Sequence, residues 1–220
     1  TSVTDESHEN YDGVLDLLAE FTEAHIMIGH THYNQKYIHK RNGKTIFDHV
    51  HGAACGAWWT ANICADGTPN GYGVYEISGN TVANQYYKST NKDAGYQIRA
   101  YSATQVFGKS GSLTFGWAAN SSVMNNAKCI VANVWNCDPA WTVEMRADGG
   151  RPVWMERTTA VDPQARRLYA DASKLDHKWI TVTQSDHYYA APLPAGTRRV
   201  EVTARDRFGN TYRAEKRINR

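Results

Sequence analysis

His30 and His32 stand one residue apart, directly after Gly29 at the end of the short apolar run Ala24-His25-Ile26-Met27-Ile28. An H-x-H pair offers two imidazole nitrogens to one metal ion or to two adjacent ones; otherwise the rings hydrogen-bond within a loop. A run of this length reads as a buried strand, and the glycine lets the backbone turn sharply at the strand end. The residues before it have a helical pattern. Asp12 is a candidate N-cap, Val14, Leu17, Leu18 and Phe21 follow the spacing of one apolar face, and Asp16, Glu20 and Glu23 fall largely on the other. A helix handing over to a buried strand is a unit of an α/β sheet, whose ligand sites form beyond the carboxyl ends of the strands. The histidine pair stands there. A parallel sheet needs earlier strands for this one to lie beside, so the chain is expected to begin inside an α/β domain.

After the histidine pair the pattern turns to strands. Residues 37–40, 44–47 and 48–51 read as strands around Arg41-Asn42-Gly43, whose Asn-Gly is a strong hairpin signal. His49-Val50-His51 is a second H-x-H, with both rings on one strand face: a half-exposed face, or support behind the first pair. Residues 52–73 are rich in glycine and aromatics and include Trp58-Trp59 and Asp66-Gly67-Thr68-Pro69-Asn70-Gly71-Tyr72-Gly73. Loops of this composition run over the surface and carry function; the alternative is a rigid corner with both tryptophans as core anchors. Residues 74–77 and 81–88 read as a hairpin closing the sheet begun by the histidine strand. The polar, turn-rich residues 89–95 suit a boundary.

Beyond it strands predominate. Cys129 to Trp135, apolar apart from Asn133, suits a central strand, and Trp141, Val143 and Met145 alternate with polar residues as a half-buried one. Asp162-Pro163 opens a short helix. Tyr188-Tyr189-Ala190-Ala191 is a strand candidate, and residues 200–204 and 211–214 flank the turn 206–210 as a last hairpin. Short strands at this spacing suggest an antiparallel β-sandwich.

The chain has 220 residues, 41% hydrophobic and 21% charged, enough for one large domain or two modest ones. Its net charge of +2 gives no electrostatic reason to propose nucleic acid or an acidic membrane surface as a partner. Thirteen Tyr and seven Trp favour a β-rich chain with aromatic-lined surfaces. No apolar run approaches the roughly 20 residues of a membrane span, and Thr1 to Asn10 is polar and acidic, without a signal-peptide pattern. Of the four cysteines, Cys129 and Cys137 lie about 26 Å apart if the strand between them is straight, too far to bond. Cys55 and Cys64 either meet across a loop or remain thiols.

Gly29-His30-Thr31-His32, following Ile26-Met27-Ile28, resembles the closing metal motif of the calcineurin-like metallophosphoesterases. The resemblance continues through Tyr33-Asn34, Gly52-Ala53-Ala54-Cys55-Gly56-Ala57-Trp58-Trp59 and the Asp66 to Gly73 stretch. It extends to Val200-Glu201-Val202-Thr203 and Asp206-Arg207-Phe208-Gly209-Asn210-Thr211-Tyr212. Together these are similar to the C-terminal portion of a bacterial calcineurin-like phosphoesterase. The fold implied is mainly β: residues 1–91 as the C-terminal remnant of an α/β metallophosphoesterase sandwich, and residues 92–220 as an appended antiparallel β-sandwich.

The resemblance implies hydrolysis of phosphate esters by two divalent cations, manganese, zinc or iron, about 4 Å apart. His30 and His32 would each ligate one of them. The family's other ligands, an Asp-x-His, a Gly-Asp-x-x-Asp, a Gly-Asn-His and one further histidine, have no counterpart in this sequence. His8, in Glu-Ser-His-Glu-Asn, lacks the usual following proline. This chain alone is therefore expected to bind the metals weakly or not at all and to be inactive, while a small phosphoester is the substrate of the complete protein. An exported or periplasmic location is implied in the same way. Asn34, Trp58, Trp59, Asp66, Asn70 and Tyr72 are candidates for the substrate rim, from the composition of their loops and their place after the metal motif. A cupin-type site is disfavoured because Lys36 stands where a glutamate is needed, and a serine hydrolase because Gly-x-Ser-x-Gly is absent. The rival reading is a β-rich binding module that attaches an enzyme to a glycan or a cell-surface partner.

Overall fold

A computed structural model describes residues 10–102 and 128–218; His8 lies outside them. Helix α1 (Tyr11–Leu18) leads into strand β1 (Glu23–Ile28), which pairs in parallel with β3 (Lys44–Val50). β2 (Gln35–Arg41) pairs antiparallel on the far side of β3, so the sheet order is β1-β3-β2. The β2–β3 turn is Asn42-Gly43 with φ of 49° and 74°, the double left-handed geometry that a two-residue hairpin turn requires.

The helix packs on a different stripe from the one the spacing predicts. Leu15 and Ala19, with Tyr11 and Leu18 beside them, bury against Ala24, Ile26 and Ile46. Leu17 and Phe21 are more than 60% exposed. The helix ends at Leu18, so Phe21 falls in the following turn and cannot extend a helical face; Tyr11, Leu15 and Leu18, at i, i+4 and i+7, form the contact instead.

Strands β4 (Gly71–Ser78) and β5 (Thr81–Ser89) form the expected hairpin, but it does not close the first sheet. It is a separate two-stranded ribbon. It meets the first sheet through side chains, with Tyr75 edge-on to His49 and His51.

Two four-stranded antiparallel sheets follow. One has the order β10-β11-β7-β6, from β6 (Arg99–Ser102), β7 (Cys129–Asn133), β10 (Glu156–Val161) and β11 (Gln184–Pro192). The other has the order β13-β12-β8-β9, from β8 (Thr142–Ala147), β9 (Val153–Trp154), β12 (Arg199–Arg205) and β13 (Thr211–Arg217). Their inner faces share one core: Ile130, Ala132 and Tyr189 from one sheet meet Val143, Met145, Val202 and Tyr212 from the other. β7 is buried along its whole length, as a central strand must be. Its second face joins Tyr101, Val161 and Tyr188 in another apolar cluster. Helix α2 (Pro163–Tyr169) is capped by Asp162, whose Oδ1 accepts from the backbone of Gln164 at 2.8 Å and Ala165 at 2.9 Å. The described chain is thus mainly β, with several antiparallel sheets and two short helices. All four cysteines are free thiols.

Candidate functional site

β1 ends at Ile28, whose carbonyl accepts from the His51 backbone at 2.9 Å. The chain then turns through His30 and His32 with φ of 81° and 59°, left-handed values that cost a residue with a Cβ. The turn is held at His32. Its Nδ1 lies 2.7 Å from the carbonyl oxygen of Gly56, so Nδ1 carries the proton and Nε2 keeps its lone pair. Its ring stacks on Trp58 with centroids 4.2 Å apart and planes 17° apart. The Cys55 thiol is 3.8 Å from the same nitrogen. His30 is exposed.

The loop of residues 52–70 supplies that support, and its shape is fixed by a glycine that nothing can replace. Gly56 has φ of 56°, and a Cβ there would sit 2.0 Å from Asn70 Oδ1 and 2.9 Å from the Ile63 carbonyl. Asn70 in turn donates to the Ala61 carbonyl at 3.1 Å. Trp58 and Trp59 follow, both left-handed. Trp58 is half-buried and meets Trp179 edge-on at 6.4 Å; Trp59 is 80% exposed. Tyr72, on β4, is also exposed. Ala57 and Ile63 pack with Ala165, Tyr169 and Ile180, so the loop is seated on the elements around α2.

Asn34 and Asp66 lie beneath this surface, both fully buried. The Asn34 backbone donates to Asp66 Oδ2 at 2.8 Å, and Asn34 Oδ1 accepts from Gly52 at 2.9 Å. Asp66 also receives the Thr68 hydroxyl at 2.7 Å, the Thr68 backbone at 3.0 Å and His187 Nε2 at 2.9 Å. The Asp66 carbonyl accepts from Asn133 at 3.2 Å and from the Tyr188 hydroxyl at 3.0 Å. Asp162 closes the network, taking Tyr101 at 2.7 Å and Asn133 at 3.0 Å on Oδ2. Gly67 makes this possible: at φ of 86°, a Cβ would lie 2.2 Å from the Asp162 carboxyl carbon. Sequence reasoning saw in Asp162-Pro163 only the start of a short helix. It had no signal for His187, 121 residues from Asp66.

The second H-x-H is not a half-exposed strand face. His49 is buried, and its Nε2 lies 2.9 Å from His25 Nδ1, whose other nitrogen meets Glu23 at 2.8 Å. His51 stacks parallel to His49 and contacts Tyr75 at 2.6 Å and the Lys36 ammonium at 3.2 Å. The reason is the covering hairpin on one side and Arg207, which lies over the Phe47 ring at 3.6 Å, on the other. Burial, and then the Lys36 charge, hold both imidazoles far below their ordinary range. Burial also pushes Lys36 down to about 7.

These groups predict an acid-sensitive fold. The unfolded chain binds protons on His49 and His51 near pH 6.5 while the folded chain does not, so stability falls as pH drops below that value. Each ring contributes up to about 1.4 kcal/mol per pH unit. Lys36 acts in the same sense at higher pH, with stability rising between about 7 and its unfolded value. Urea unfolding at pH 7.5, 6 and 5 should show the loss, and His49→Gln should remove about half the slope. A flat profile over that range would contradict the buried neutral pair.

Among the described residues, no group of three or more His, Cys, Asp or Glu side chains is placed to hold a metal. Two imidazoles from one loop, one with its second nitrogen held by a carbonyl, fit part of a metal site. Ligating histidines usually carry such a hydrogen bond, which fixes the ring and the tautomer. Among the described residues, the carboxylates that two close cations need are not beside them. The family model for the C terminal of calcineurin-like phosphoesterase matches residues 48–212. The chain belongs to that family. No curated protein and no solved structure matches it. The match to this family of metallophosphoesterases begins within β3, takes in the Trp58 loop, the ribbon and the strands β6 to β12, and ends at the start of β13. His30 and His32 lie before it, so their part rests on their own geometry and sequence motif.

Proposed function

We propose that this chain closes the active site of a metal-dependent phosphoesterase, with the remaining ligands supplied from outside it. His30 and His32 would each give an imidazole to one of two divalent cations, manganese, zinc or iron. When bound, such a pair activates water and neutralises the phosphoryl oxygens. The chain's own residues orient and enclose. Gly56 holds His32 in the tautomer that presents Nε2, and Trp58 fixes the plane of the ring. Trp58, Trp59, Asn70 and Tyr72 border the substrate, while Asn34 and Asp66 hold that rim from beneath. In this reading residues 1–91 complete the phosphoesterase domain and residues 92–220 form the appended β-domain.

The observation that carries the proposal is the 2.7 Å bond from His32 Nδ1 to Gly56, made on a left-handed turn that only a specific support would maintain. The test is an aryl-phosphate assay with added manganese or zinc, run on this chain and on the protein extended upstream. The extended protein should turn over only with metal, and this chain should not turn over at all. Metal-dependent turnover by the chain alone would overturn the division of ligands. Metal-independent turnover by the extended protein would overturn the mechanism.

A further inference from the structure

The outer face of the sheet β13-β12-β8-β9 carries a polar surface that the phosphoesterase chemistry does not use. Strand alternation sends Val143, Met145, Val202, Ala204 and Tyr212 into the core, so their neighbours face out. Register then lines up Trp154, Glu144, Thr203 and Arg213 in one row across four strands, about 14 Å from end to end at ordinary strand spacing. A concave region of about 400 Å³ takes in Glu144, Thr203 and Arg213 of this row, with Trp154 outside it; four arginines and two glutamates line it with Thr203 and Gly149.

The charges on this face are arranged, not scattered. The Glu144 side chain is only 9% exposed, with Arg205 at 3.5 Å and Arg146 at 4.0 Å. It therefore fixes two guanidinium groups at the centre of the concavity. Arg199 turns to Glu215 at 3.6 Å. Arg213 is exposed and makes no ion pair among the described residues. At the edge Trp154 is 65% exposed, a large apolar ring beside charged groups.

We infer that this face binds an anionic polysaccharide, carboxylated or sulfated, across the strands. Planar guanidinium groups pair with carboxylate or sulfate in two parallel hydrogen bonds, and an excess of arginine over glutamate leaves room for ligand charge. The exposed indole offers a flat apolar surface for the face of a sugar ring. A protein partner would call for an apolar centre, and the concavity has none. A nucleic-acid partner would call for a strongly basic field, and the chain's net charge is +2.

Affinity electrophoresis of the 220-residue chain through gels containing polygalacturonate, chondroitin sulfate or dextran tests this, with a single-stranded oligonucleotide as competitor. Retardation by one of the anionic glycans and not by dextran is expected, and the glycan that retards identifies the anion. Trp154→Ala and Arg213→Ala, both at exposed positions, should each weaken binding at least about tenfold with unchanged unfolding midpoints. The inference is overturned by absence of retardation in both anionic glycans, by both variants being retarded as strongly as the unsubstituted chain, or by an oligonucleotide that binds and displaces the glycan with the variants unaffected.

Discussion

Asp66→Ala should destabilise the chain by at least about 4 kcal/mol. Four donors converge on this one fully buried carboxylate: the Asn34 and Thr68 backbones, the Thr68 hydroxyl and His187. Removing it leaves all four facing a cavity, and each buried donor without a partner costs about 1–3 kcal/mol. The sum is a large share of the 5–15 kcal/mol that typically separates folded from unfolded domains. Asp66→Asn should also destabilise strongly, because its amide turns donors towards donors. The effect should reach the histidine pair. Asp66 joins the exit of the His30–His32 turn, through Asn34, to the sheet that carries His187, so loosening it unseats the loop that holds His32. Urea unfolding followed by tryptophan fluorescence reads the loss. A wild-type midpoint in Asp66→Ala would mean that the network does not hold the loop, and a folded variant with altered substrate binding would make Asp66 a rim residue in direct contact.

That network marks where sequence reasoning runs out. Strand alternation, the Asn42-Gly43 turn, the helix start at Asp162-Pro163 and the wholly buried β7 are local patterns, and each is legible because one residue's neighbours determine its state. The Asp66–His187 contact joins residues 121 positions apart. No period or spacing encodes it; only the stacking of the loop on the sheet does. The same holds for His49. Alternation gives its face correctly but not what covers that face, since the β4–β5 ribbon approaches through Tyr75 and not through a shared ladder. Helix α1 failed for a smaller reason: its N-cap is Asn10, two residues before the expected cap Asp12, and it ends at Leu18, three before Phe21, and in an eight-residue helix such shifts move the apolar stripe.

Of the candidate site residues, the structure brings His32 and Trp58 into contact and joins Asn34 to Asp66. Asn70 packs against Gly56, its Oδ1 filling the space a Cβ there would take. The histidine motif was legible because its residue types carry the chemistry. The role of Gly56 was not, because a carbonyl is available at every residue and only the folded loop selects one. Composition pointed to the loop as a whole; the left-handed geometry at Gly56, Trp58 and Trp59 explains why that particular carbonyl faces the ring.

If the proposed function holds, His32→Ala in the protein extended upstream should lower turnover by at least about a hundredfold, and His30→Ala by a similar factor. On the proposed reading each substitution would remove an imidazole from one cation of a pair, and two-metal hydrolysis needs both in place. The two variants should differ in structural consequence. His30 is exposed, so its loss should leave the unfolding midpoint unchanged. His32 carries the Gly56 bond and the Trp58 stack, so its loss should also redden and quench the Trp58 emission as the indole gains water. His32→Gln, which can keep a hydrogen bond to Gly56 but cannot present an imidazole nitrogen, separates the roles: ligation predicts that turnover stays low while the fold is retained. Bound metal, measured by atomic emission after dialysis, should fall in all three variants. Unchanged turnover in His30→Ala and His32→Ala would remove both histidines from the metal site. Recovery of turnover in His32→Gln would make His32 a support of the loop alone.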